Sequence, residues 1–378
     1  MSKLDDLIRE LCPDGVEFRK VGDIANISRG KVMSKDFLKE NAGEYPVYSS
    51  QTENEGKLGS ITTYMFDGEY LTWTTDGANA GTVFYRSGKF SVTNVCGVID
   101  NISEDVNTKY LYYVLNRVAP TYVNSGMGNP KLMSNVMARI SLPIPPLEIQ
   151  REIVRILDNF TELTAELTAE LTARKAQYSY YRDKLLQYET IIEELEIGEV
   201  CNLSAGGDVP KDRFSKEKTE RYKIPIISNG SGINALYGYT DIPKVVEPSV
   251  TVAARGTIGY AEYRDYPYFP IIRLITLIPK DIKRLNTKYL YYCLQGRKYK
   301  IPMSGIPQLT VPMLKKQKVS IPPLDVQNRI VNVLDNFEKI CSDLNIGLPA
   351  EIEARKKQYE YYRDKLLSFK EHEDGLSN

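Results

Sequence analysis

The chain has 378 residues, 42% of them hydrophobic and 26% charged, which suits a well-packed protein of two ordinary domains and excludes global disorder. Cys12, Cys96, Cys201, Cys293 and Cys341 are scattered, odd in number and form no CxxC pair, so a disulfide framework and a zinc knuckle are both disfavoured and a reduced, cytoplasmic setting is expected. No run approaches the ~20 apolar residues of a membrane span, and the zero net charge hides a split: 20 Lys+Arg against 10 Asp+Glu over 197–321, but 15 against 17 over 1–145.

In chain order, residues 1–144 read as a first α+β domain. Runs of Val, Tyr, Phe and Thr such as GTVFYRSGKFSV at 81–92 predict strands, Gly, Asn and Asp between them predict turns, and NTKYLYY at 107–113 predicts one helix. LPIPPLE at 142–148 ends a strand and presets a helical turn. Over 145–196, Leu157, Phe160, Thr164, Leu167, Leu171, Arg174, Tyr178, Tyr181, Leu185, Tyr188, Ile192 and Leu195 recur in steps of four and three. That seam predicts a coiled-coil helix of roughly 60 Å, which a second helix must cover.

Residues 197–321 repeat the first pattern as a second α+β domain, with RLITLIP at 273–279 as a strand and NTKYLYY at 286–292 as its helix. Residues 322–370 are helical again. Ile330, Leu334, Phe337, Cys341 and Leu344 continue the seam until Asn345, Gly347 and Pro349 predict a break and a fresh helix start at Pro349; 371–378 is a polar tail.

The chain is written twice. RKAQYSYYRDKLL at 174–186 returns as RKKQYEYYRDKLL at 355–367, PPLEIQREIVRILDNF at 145–160 as PPLDVQNRIVNVLDNF at 322–337, and NTKYLYYVL at 107–115 as NTKYLYYCL at 286–294. The helical copies nearly match while the globular copies mostly do not, a pattern that fits two identical partners and two different ligands. The expected architecture is therefore α+β: two domains separated by a long antiparallel helical pair, related by an internal pseudo-two-fold repeat.

These residues resemble a known family, the specificity subunits of type I restriction-modification enzymes. The resemblance rests on both RKxQYxYYRDKLL copies, the IPPL helix starts and the tetrads in TELTAELTAELTARK at 161–175, and it runs from LIRELCPDGVEF at 7–18 to the last helix. It implies two target-recognition domains, each reading one half of a split site in double-stranded DNA. It further implies helices that act as a spacer and dock two methyltransferase subunits, with restriction subunits joining that core. Between DNF and RK there are 13 residues in the first copy (161–173) and 17 in the second (338–354), a difference of one tetrad, or about 6 Å of helix. The tetrads are also simply good helix, with Leu163, Leu167 and Leu171 inward and Glu162, Glu166 and Glu170 solvated.

No catalytic residue, cofactor or metal is expected: the single histidine is His372, and there is neither a GxxxxGK[ST] loop nor an Asn-Pro-Pro-aromatic motif. Candidate DNA contacts lie in polar loops at equivalent places of the two domains: Ser50, Gln51, Asn79, Asn129 and Lys131 in the first, Asn229, Arg255, Thr257 and Gln308 in the second. Arg255 suits bidentate contact with guanine, and Asn79, Asn229 or Gln308 with adenine, although turn and phosphate roles outnumber base contacts by about two to one. Lys211 and Arg213 open a basic run continued by Lys216, Lys218, Arg221 and Lys223, suited to phosphates. Tyr180, Arg182, Lys184 and Tyr361, Arg363, Lys365 lie off the seam as partner-interface candidates, whereas Tyr178, Tyr181, Tyr359 and Tyr362 are expected to pack between helices. A coiled-coil adaptor that binds only proteins is the rival reading, and salt-sensitive binding to duplex DNA separates the two.

Overall fold

Two long strands rich in aromatic and β-branched residues, Phe66–Thr74 and Val83–Val92, pair antiparallel from Phe66 opposite Phe90 to Trp73 opposite Val83 and form the centre of the first unit. The computed structural model describes residues 3–126, 128–187, 193–301, 306–343 and 345–372. Two compact units divide the chain: Met1–Thr168 with Ile352–Asn378, and Ala169–Glu351.

In the first unit, helix α1 (Lys3–Leu11) and strand β1 (Glu17–Lys20) precede β2 (Ala25–Arg29), β3 (Ala42–Tyr48), β4 (Lys57–Ile61), β5 (Phe66–Thr74), β6 (Val83–Val92), β7 (Cys96–Asn101), helix α2 (Thr108–Val118) and β8 (Ser141–Ile144). Six of the strands form one sheet in the order β2-β7-β5-β6-β3-β4, with β3 parallel to β6, and β1 pairs with β8. Trp73 is fully buried because Gly97 faces it without a side chain, a Cβ there falling 2.2 Å from the indole. The indole Nε1 donates to Leu132 O at 3.0 Å. Asn107 caps α2 by accepting from the Lys109 and Tyr110 amides, and the helix buries Tyr110, Leu111, Tyr113, Val114 and Leu115.

The second unit repeats this plan with one break. β9 (Glu194–Glu196) pairs with β17 (Lys318–Ser320) as β1 pairs with β8. β10 (Cys201–Ala205), β16 (Leu274–Pro279), β13 (Ser249–Ala253) and β14 (Ala261–Arg264) form a four-stranded sheet. β12 (Leu236–Thr240), β11 (Ile224–Ile227) and β15 (Phe269–Pro270) form a separate three-stranded one, with β11 parallel to β15. The single strand β6 of the first unit thus corresponds to two, β14 and β15, with Pro267 between them; proline donates nothing to a ladder and splits the strand. Helix α4 (Thr287–Leu294), capped by Asn286, takes the place of α2.

The longest helices are α3 (Leu147–Leu185), α5 (Leu324–Ser342) and α6 (Leu348–Leu366). The break before Pro349 falls where the sequence places it, and Gly347 permits it, since a Cβ there would meet Lys339 O at 2.6 Å. Residues of α3 up to Thr168 belong to the first unit and those from Ala169 to the second. Ile149, Ile153 and Leu157 enter the first core, where Phe160 stacks on Tyr362 of α6 at 5.5 Å. In the second unit Tyr181 stacks on Phe337 of α5 at 5.8 Å, and Tyr178 Oη donates to Gln295 Oε1 at 2.6 Å. Each copy of the tyrosine-rich helix therefore folds with the other copy's domain. Leu163, Leu167 and Leu171 are half-buried; Tyr188, Ile192 and Leu344 lie outside the described residues.

A buried glutamine fastens each domain to its helix. Gln150 Oε1 accepts from the Asn107 amide at 2.8 Å, and its Nε2 donates to Asp105 O and Pro145 O at 2.9 and 2.7 Å. Gln327 does the same with the Asn286 amide, Arg284 O and Pro322 O, each at 2.8 Å. Two turns along, Asp158 holds Lys109 Nζ at 2.7 Å and accepts from Tyr113 Oη at 2.6 Å; Asp335 holds Lys288 Nζ at 2.8 Å and accepts from Tyr292 Oη. Burial, followed by the carboxylate hydrogen bond, pushes both tyrosine hydroxyls up, so they stay protonated donors. Gln150→Ala strands one amide and two carbonyls, and a loss of about 1–3 kcal/mol is expected in urea denaturation of the full chain; an unchanged midpoint contradicts this role.

Candidate nucleic-acid interface

Each unit brings three loops together on one hairpin. In the first, β5 and β6 are closed by Thr74 N to Thr82 O at 3.0 Å and Gly81 N to Thr74 O at 2.9 Å. In the second, Ala253 N to Tyr260 O and Gly259 N to Ala253 O, both 2.9 Å, close the matching hairpin. Gly77 (φ 97°) and Gly256 (φ 69°) turn the two tips through the left-handed region that favours glycine. A second loop crosses the hairpin base, with Leu132 N donating to Thr75 O at 2.8 Å and Leu309 N to Ala254 O at 2.9 Å.

The third loop follows β3 or β11. Ser50 is half-buried and faces inward: its hydroxyl donates to Val95 O and accepts from the Thr75 amide, so it builds the loop rather than presenting a group. Gln51 Nε2 likewise returns to Lys57 O at 2.7 Å, and Asn79 Nδ2 donates to Thr52 Oγ1 at 3.0 Å. Asn129 and Lys131 are exposed and line a shallow cleft with Asn124 and Met133. In the second unit the candidates converge more tightly. Asn229 Nδ2 donates to Arg255 O and Thr257 Oγ1 to Asn229 O, both at 2.7 Å, while Arg255 Nε and Nη2 donate to Gln308 Oε1 at 2.9 and 2.6 Å.

Lys211 and Arg213 stand apart from this cluster. Lys211 lines a cleft with Asp208, Phe214 and Tyr237, and Arg213 pairs with Asp241 at 2.7 Å. Arg221 reaches the same carboxylate at 3.4 Å. Arg213 holds the Asp241 carboxyl below its ordinary range, so two cations of the basic run are partly neutralised by one anion.

On the helices, Tyr180 and Tyr361 are 61% and 63% exposed, and Lys184 and Lys365 are exposed beside them. Arg182 and Arg363 are less open: each turns back on the next residue, to Asp183 at 2.9 and 2.7 Å and to Asp364 at 3.0 and 2.8 Å. Tyr181 and Tyr362, expected between helices, are stacked on one face only and remain 38% and 37% exposed. Heptad spacing sets the face of a residue and not its depth.

Sequence reasoning missed Gln150, Gln327, Asp158 and Asp335, although all four stand unchanged in the 145–160 and 322–337 copies, where six neighbouring positions differ. Among the described residues no cluster of three or more His, Cys, Asp or Glu is placed to hold a metal, and no helix is long and apolar enough to cross a membrane. Burial pushes the Cys96, Cys201 and Cys293 thiols up to about 12, which leaves them protonated at neutral pH.

The family described as the type I restriction modification DNA specificity domain matches the chain twice, over residues 13–174 and 191–354. A Mycoplasma pneumoniae protein named as a type I specificity subunit is 42% identical over 359 residues, covering 94% of this chain and 98% of the relative. A Haemophilus influenzae protein named as a type I restriction enzyme specificity subunit is 33% identical over 384 residues, covering 94% and 96%. Two solved structures share the fold at 15% identity. The S subunit from M. genitalium has a TM-score of 0.60 over 93% of this chain and 96% of its own, and a structure from work on type I complex assembly has 0.64 over 94% and 98%.

Two such domains in tandem, each with a triple-loop hairpin, define a DNA sequence-recognition protein. The chain belongs to the specificity subunits of type I restriction-modification systems.

Asp241→Ala releases Arg213 and Arg221. The expected outcome is tighter non-specific duplex binding and a log K against log[salt] slope steeper by about 1–2; an unaltered slope shows that neither cation meets phosphate.

Proposed function

We propose that each domain reads one half of a bipartite target in double-stranded DNA, and that the helices set the gap between the halves. Residues 1–144 and 197–321 are the two readers, 145–196 and 322–370 the helical frame, and 371–378 a polar tail. The frame is read as an antiparallel helical pair, a reading that the stacking of Tyr181 on Phe337 within the second unit supports.

One observation carries this reading. The two hairpins are tied by equivalent backbone hydrogen bonds yet carry unlike side chains, whereas the tyrosine-rich helices nearly coincide. Equivalent frames with different tips recognise different half-sites; matching helices recognise matching companions. Tyr180 with Lys184 and Tyr361 with Lys365 are exposed at equivalent places and suit the docking of two methyltransferase subunits, Arg182 and Arg363 shaping those surfaces from behind. Restriction subunits complete the assembly, which acts on DNA in the cytoplasm. The chain itself performs no chemistry: it supplies the address at which its companions act.

Arg255 and Gln308 with Asn229 and Thr257, and Gln51, Asn79, Asn129 and Lys131 on the scaffold of Ser50, form the base-facing tips; Lys211 and Arg213 serve the backbone. The frame is tested by inserting one threonine-alanine-glutamate-leucine tetrad after Leu171, in register with the leucines at 163, 167 and 171. Four residues add about 6 Å of helix against ~3.4 Å per base pair, so the methylated motif is expected to keep both half-sites and widen its gap by one or two pairs. An unchanged motif overturns the spacer role.

A further inference from the structure

The two hairpins place opposite chemistry in one slot, and we infer that this slot is where each domain discriminates a G·C pair: Arg255 reads guanine for the second domain, and Asp76 reads cytosine for the first. The inference rests on the bipartite reading above.

Backbone geometry defines the slot. Asp76 follows Thr75, whose carbonyl accepts from Leu132 N, and Arg255 follows Ala254, whose carbonyl accepts from Leu309 N. Each is followed by a left-handed glycine, Gly77 or Gly256. Across the slot stand the residues just before the tying leucines: Lys131, bridged antiparallel to Asp76, and Gln308. Register is thus shared, and only the side chains differ.

Arg255 is half-buried and held from one side. Nε and Nη2 both donate to the single oxygen Gln308 Oε1, which occupies the lateral edge of the guanidinium and leaves the Nη1/Nη2 end with two parallel N–H bonds. The neutral amide orients the group without cancelling its charge. Four other arginines of this domain end on carboxylates, Arg213 and Arg221 on Asp241, Arg264 on Glu262 and Arg284 on Glu193, while Arg297 donates to Lys318 O. Among the described residues no carboxylate pairs with Arg255. An oriented, uncancelled fork of two donors matches guanine O6 and N7 in the major groove.

Asp76 decides whether the slot meets bases or backbone. Its carboxylate makes no ion pair among the described residues, and a carboxylate facing phosphate is repelled. It offers acceptors only, which suits the cytosine N4 amino group. Since the same frame positions both side chains, the slot faces base edges in the second domain too.

The test is selection from randomised duplexes by the full chain in complex with its methyltransferase subunit, followed by sequencing, for wild type, R255A, R255K and D76N, with melting temperatures measured in parallel. Wild type is expected to require a G at one position of one half-site and a C at one position of the other. R255A and R255K are expected to lose preference for that G by about 10-fold or more; lysine keeps the charge and lacks the fork, so R255K separates lost base readout from lost charge and remains informative if the alanine variant unfolds. D76N is expected to relax the C in the other half-site alone. A uniform loss of affinity with the selected motif intact makes the slot a phosphate contact and overturns this inference while leaving the bipartite reading standing. A wild-type complex without any two-part preference overturns that reading and this inference with it.

Discussion

Everything distal in each domain depends on a buried side-chain amide at the start of a helix. Gln150 and Gln327 are fully buried, and each satisfies one backbone amide and two carbonyls. An unpaired buried polar group costs more than a made hydrogen bond returns, so this arrangement tolerates only one geometry. The Asp158 and Asp335 ties, two turns further along, supply a second fixed point. Two points of attachment prevent the domain from pivoting on its helix, which is what a reader of fixed half-sites requires.

Above that shared base the domains diverge by position rather than by plan. The hairpins, the crossing loop and the β3-like loop keep their backbone hydrogen bonds, while Asp76, Asn79 and Lys131 are exchanged for Arg255, Thr257 and Gln308 at or near the corresponding places. The positive surplus of the second domain follows in part from the same divergence, although Asp241 takes up two of its cations.

Much of this was legible in the sequence because the signals were local. The Asn107 and Asn286 caps, the proline-led helix starts and the break before Pro349 are decided by residues within a turn of one another, and the internal repeat gave the two α+β domains directly. Long-range choices were not legible. Nearly identical helices at 174–186 and 355–367 give no indication of which domain each joins, and the structure pairs each with the other copy's domain. Arg255 and Gln308 are 53 residues apart, so neither was seen to orient the other. The split of β6 into β14 and β15 hides behind Pro267, which reads in sequence as an ordinary turn. Ser50 stands among the candidates because a small polar residue in a loop looks the same in sequence whether it binds a ligand or holds the loop together.

On the proposed bipartite reading, the two domains leave a distinctive mark on DNA. Hydroxyl-radical footprinting of the complete complex on its own target measures it directly. Two protected patches, separated by an open gap of the same length at every site, are the predicted result; one continuous patch, or a gap that varies from site to site, contradicts the account.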